Sequence, residues 1–127
     1  GIFPQISRII KNAPPHFSVI SGDDALALPT IAVGGKGVIS VVANALPAQL
    51  SSMIRLALAG NYEEARRLHL EMEEILRLLF LDGSPGGVKA LLEIMGVSSN
   101  VLRLPLVPVN ETVKNLLTKA FQSLQNE

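Results

Sequence analysis

The residues able to do chemistry in this chain are few and clustered. Ser21, Gly22, Asp23 and Asp24 form the tetrad SGDD, and Gly34 to Gly37 form the glycine-lysine cluster GGKG. Two neighbouring carboxylates beside a glycine can steer a polar substrate. Helix N-capping and a plain turn explain the same residues at least as well. The GGKG cluster has the composition of a phosphate loop but the wrong placement. A phosphate loop follows a strand and opens a helix, whereas this cluster follows a helical stretch and opens a strand. Lys36 therefore falls in an αβ turn, at the end of the sheet opposite any active site. His16 and His69 have no companions at metal-ligand spacing, so no metal site is expected. The charges around Glu63, Glu64, Arg66, Arg67, Glu71, Glu73 and Glu74 read as the solvated face of a helix.

The elements that must position these groups follow from the apolar pattern. FSVIS, Phe17 to Ser21, and GVISVV, Gly37 to Val42, are short β-branched runs. Pro29 is tolerated only in a first helical turn, which predicts a turn over 23–27 and a short helix from about Leu28 to Val33. Gly34 and Gly35 would end that helix by supplying positive φ. Strand, short helix, strand, with no hairpin turn, is a βαβ unit, so the strands at Phe17–Ser21 and Val38–Val41 are expected to be parallel. A parallel sheet does its chemistry at the C-terminal ends of its strands. That rule selects Ser21 to Asp24 after the first strand and Val42 to Asn44 after the second.

The flanking segments read as helices. Ile2, Ile6, Ile9 and Ile10 recur at helical spacing before the break at Pro14. Pro47 opens a helix that runs to Ala59. Asn61 caps a long one with Tyr62, Ala65, Leu68, Met72, Ile75, Leu76 and Leu79 on its apolar face. Ser84 and Pro85 begin a further helix. VLRLPLVPV must be extended because of its prolines, and Asn110 caps the last helix.

Composition narrows the function classes. The chain has 127 residues, 48% hydrophobic and 17% charged, with net charge zero, so a packed aliphatic core is expected and disorder is not. Balanced charge leaves no electrostatic footprint for nucleic acid and no polybasic membrane patch. No apolar run approaches the roughly 20 residues that span a bilayer. Cysteine is absent, which removes disulfides and thiolate metal sites and fits a cytoplasmic setting. The chain does not begin with Met, and it reads as a processed, truncated or excised polypeptide. Two strands are also not a sheet, since a parallel pair exposes edges and faces that need partners.

SGDDALALPTIAVGGKGVISVVAN, ALAGNYEEAR, GGVKALLEIMG and LRLPLVPV, in that order, resemble the C-terminal portion of the dihydrodipicolinate synthase family. These are pyruvate-dependent class I aldolases and lyases. The resemblance covers essentially the whole chain, with one departure at DGSPGG. It implies the C-terminal part of an α/β (β/α)8 TIM barrel, with FSVISG as strand 7 and GVISVV as strand 8. Residues 1–60 would hold the last βα units and 61–127 a C-terminal helical domain.

The implied activity is a lysine-biosynthesis condensation of pyruvate with aspartate semialdehyde through a Schiff base, without a cofactor. The implied assembly is a homo-oligomer, a dimer or tetramer, at full length. Gly22, by its backbone, and Ile39, as an apolar wall, match positions that line the pyruvate site. The Schiff-base lysine belongs to a motif whose closing glycine matches Gly1, so it would lie just upstream. None of Lys11, Lys36, Lys89, Lys114 and Lys119 falls in either strand. An imine-forming lysine needs a low-dielectric pocket that lowers its pKa, so this chain alone is expected to be inactive. Two other readings stand beside this one: a sister lyase acting on a sialic or sugar acid, and a non-catalytic helical interaction module.

Overall fold

The computed structural model describes residues 2–126; the match of Gly1 to the family glycine lies outside them. The chain divides into two compact units, Gly1–Leu70 and Glu71–Glu127.

In the first unit, helix α1, Phe3–Asn12, has Pro4 in its first turn and buries no residue fully. Ala13 is extended, as the residue before a proline must be, and this ends the helix. Strand β1, Ile20–Ser21, helix α2, Ala27–Ala32, and strand β2, Gly37–Val38, follow as a βαβ unit. The strands are parallel, with Ile20 opposite Gly37 and Ser21 opposite Val38. The expected orientation therefore holds, but the strands are shorter than the apolar runs. Backbone bonds from Lys36 N–H to the Val19 carbonyl and from Ile39 N–H to the Ser21 carbonyl, each 2.8 Å, bracket the ladder. Ile39–Val41, expected as the rest of β2, lie outside the paired strand, and Val42–Asn44 beyond them form a 3-10 turn. With no second neighbour, the backbone beyond Ile39 has no ladder to extend.

Helix α2 begins one residue before the predicted start and packs on both strands and on α3, Pro47–Leu58. Pro47 sits in the first turn of α3, where its missing N–H costs nothing. The two glycines after α2 act differently. Gly34 takes the positive φ, 110°, that the helix end requires. Gly35 has no positive φ, but a Cβ there would stand 2.7 Å from the Thr30 carbonyl oxygen. It is a close-approach glycine. Ala27, Ile31, Val42, Leu46, Leu50, Met53 and Ala57 are buried and form this unit's aliphatic core.

Helix α4, Tyr62–Leu81, runs from the first unit into the second. In the second unit Met72, Ile75, Leu76, Leu78 and Leu79 of α4 are buried. Helix α5, Gly86–Ile94, packs on α6, Glu111–Gln125. The segment between them, 95–110, forms no helix or strand and turns twice, where Val97 N–H donates to the Leu92 carbonyl and where Leu106 N–H donates to the Arg103 carbonyl, so the run VLRLPLVPV is not extended throughout. Asn110 caps α6 as its sequence predicts, its Oδ1 accepting from Val113 N–H at 3.0 Å. Its own backbone N–H and Nδ2 both donate to Asp82 Oδ2, at 2.8 and 2.9 Å.

Candidate functional site

The C-terminal ends of β1 and β2 bring the chemistry-bearing residues together. Ser21 is buried, and its Oγ donates to the Asp23 carbonyl at 2.7 Å while accepting from Asp23 N–H at 3.2 Å. This small ring turns the chain sharply after β1. Asp23 Oδ1 accepts from Ala25 N–H at 2.9 Å, an Asx turn that leads into α2. Asp24 does not cap α2. Its carboxylate is 1% exposed and reaches across to the far strand exit. There Oδ2 accepts from the Val41 and Val42 amides at 3.0 and 2.9 Å.

Gly22 and Ile39 each follow the last paired residue of their strand, so they share one end of the sheet. Both are exposed, Ile39 at 76%. Gly22 has no positive φ, and a Cβ built on it meets nothing within 4 Å. Neither backbone strain nor the packing of the described residues therefore requires glycine there. Lys36 is exposed and pairs with Val19 at the opposite end of the ladder. Lys11 lies in the last turn of α1, Lys89 in α5, and Lys114 and Lys119 in α6, so no lysine among the described residues lies in either strand or directly follows one. His16 is exposed in the loop before β1, and His69 lies in α4.

The first unit also carries a groove of about 420 Å³ lined by Val38, Ser40, Ala43, Pro47, Leu50 and Ile54, among others. It lies between the open side of β2 and α3, and neither Gly22 nor Ile39 lines it. Its lining is mainly apolar, with Ser40, Ser51 and Arg55 as the polar members, and it reads as a packing face left open beside a two-stranded sheet. The sequence singles out Asp24 for substrate steering or helix capping, and neither reading anticipates the contact it makes. Its true partners are 17 and 18 residues downstream, a separation that no local pattern signals.

Parallel strands with polar groups at one end, a helical crossover between them and helices thereafter define an α/β chain with a partial parallel sheet. The sequence profile of the dihydrodipicolinate synthetase family matches residues 1–124, and the chain belongs to that family. It is 52% identical over 124 residues to the 4-hydroxy-tetrahydrodipicolinate synthase of Parabacteroides distasonis, covering 98% of this chain and 42% of that protein. The enzyme of the same name from Phocaeicola vulgatus is 51% identical over 112 residues, covering 88% and 38%. Among solved structures, the 4-hydroxy-tetrahydrodipicolinate synthase of Methylacidiphilum fumariolicum superposes with a TM-score of 0.95 at 36% identity. That match covers 99% of this chain and 42% of the other. The chain thus spans about two fifths of the length of the relatives it matches.

Proposed function

We propose that this chain is the C-terminal segment of a 4-hydroxy-tetrahydrodipicolinate synthase, with β1 and β2 as barrel strands 7 and 8. Residues 1–60 complete the barrel, and 61–127 form a helical domain. The full-length enzyme condenses pyruvate with aspartate semialdehyde through a Schiff base on a lysine upstream of Gly1, acts as a homo-oligomer, and works in the cytoplasm. The observation that carries this reading is the shared end of the sheet. Gly22 and Ile39, one beside each strand exit, stand free of this chain's own packing. That arrangement suits a backbone and an apolar wall facing pyruvate, the family roles these two residues match. The identity of about half the residues to two enzymes of that name supports the substrate class over a sister lyase.

In this reading the present chain supplies walls and loop geometry, and the nucleophile comes from elsewhere. Imine formation needs a desolvated amine at a strand exit, and neither strand exit in this chain has one. The test is a chimera in which this chain replaces the matching segment of the Parabacteroides distasonis enzyme. The expected result is condensation activity, with a pyruvate adduct trapped by borohydride. A folded chimera that forms the adduct but does not condense aspartate semialdehyde would assign the chain to a different lyase.

A further inference from the structure

We propose that Asp24 is a positioning residue whose buried carboxylate, by gripping the Val41 and Val42 amides, sets the place of Ile39 beside the substrate. This rests on the proposed role of Ile39 in the pyruvate site.

A carboxylate that is 1% exposed is costly to bury unless its oxygens are satisfied. Here only half of it is satisfied: Oδ2 takes two backbone N–H bonds, while Oδ1 is buried with no partner among the described residues. Helix capping does not account for the burial, since the N-cap residue of α2 is Leu26 and the helix has no side-chain cap. The carboxylate is therefore held for the two amides it binds. Those amides lie just past the end of the ladder, where the backbone has no strand partner. Ile39 N–H is fixed by the Ser21 carbonyl at 2.8 Å, and Val41 N–H is fixed by Asp24 at 3.0 Å. Ile39 and Ser40 thus span two anchored points. Ser40 Oγ accepts from Ala43 N–H at 2.9 Å and tightens the turn that follows. The Ile39 side chain is 76% exposed and gains no fixed position from packing within this chain. Its direction is set by the backbone on either side, and Asp24 supplies one of the two anchors.

The experiment uses the full-length protein. Asp24→Ala is expected to raise the KM for pyruvate by about tenfold, with the KM for aspartate semialdehyde within about twofold. Asp24→Asn keeps an oxygen for both amides and is expected to return the pyruvate KM to within about threefold of the unaltered protein. Rates are normalised to active sites counted by borohydride trapping, so that loss of folded protein does not pass for loss of positioning. A purely structural role lowers the count of active sites and leaves both KM values alone, and that result overturns the proposal. So does an Asp24→Asn protein as impaired as Asp24→Ala. Amide hydrogen exchange of the unaltered protein gives a reading independent of both variants and of catalysis. The Val41 and Val42 amides should exchange slowly although they lie outside the β1–β2 ladder, and fast exchange there overturns the proposal. Slow exchange in a protein that fails to condense pyruvate would locate the failure in the proposed function and leave the grip of Asp24 standing.

Discussion

Gly22 and Gly87 both lie near turns, yet a Cβ has opposite consequences at the two. A Cβ on Gly87 would run into the Leu79 carbonyl, so the close approach of α5 to α4 there depends on the missing side chain. Gly87→Ala is expected to cost about 1–3 kcal/mol, the usual range for overpacking a filled site, read as a lower denaturation midpoint of the chimera. A Cβ on Gly22 meets nothing within 4 Å. Gly22→Ala should leave that midpoint unchanged and raise the pyruvate KM about tenfold, the signature of lost substrate binding. Equal pyruvate KM values in the two proteins would remove Gly22 from the site. Charge matters less at this scale. Arg77 donates two hydrogen bonds to Glu74 and holds its carboxyl below the ordinary 4.5. A lowered folded value means the pair contributes only above the unfolded one and is lost as pH falls through the folded one. Both side chains are about half exposed, so Glu74→Gln should leave the midpoint at neutral pH nearly unchanged.

Helix ends show how far sequence reading of an element can go. Asn110 was legible as a cap because its side chain serves the amide three residues on, a purely local bond. Its tie to Asp82, 28 residues earlier, was not legible at all. That tie changes the expected ranking of caps. Asparagine and aspartate are ordinarily equal at an N-cap, and loss of either to alanine costs about 1 kcal/mol. Asn110→Asp removes the Nδ2 donor and sets a second carboxylate against Asp82 Oδ2. It should therefore be at least as destabilising as Asn110→Ala at neutral pH. Facing carboxylates have raised folded pKa values, so protonation favours the folded state and the deficit should shrink as pH falls through the carboxylate range. Denaturation of both variants at neutral and acidic pH reads this directly. The strands show the converse limit. Orientation followed from the helical crossover between them, but length did not. FSVIS and GVISVV are apolar enough for five or six residues each by roughly the usual strand pattern, yet only Ile20–Ser21 and Gly37–Val38 pair. Ladder length depends on neighbours, which a run's own residues do not reveal.

Across the whole molecule, the same shortage of neighbours bears on activity. Parallel sheets are normally covered on both faces, and here Phe17, Ile20 and Ile39 are exposed at 56%, 49% and 76% beside a two-stranded pair. The groove along the open side of β2 is lined in part by Val38 and Ile54, apolar side chains that are only partly covered. Surface of this kind promotes association, so the isolated 127-residue chain should bind a hydrophobic dye and self-associate, whereas the chimera should do neither. Catalysis should divide the same way. The two strand exits offer backbone and an apolar side chain but no amine. The sequence's one tyrosine, Tyr62, opens α4 and lies in neither strand. Incubated with pyruvate and borohydride, the isolated chain should keep its unmodified intact mass while the chimera gains one pyruvate adduct. Peptide mapping should place that adduct on a lysine of the upstream portion. A stoichiometric adduct on Lys11, Lys36, Lys89, Lys114 or Lys119 of the isolated chain would show that a reactive amine exists within these 127 residues, and the division of labour between the two portions would have to be abandoned.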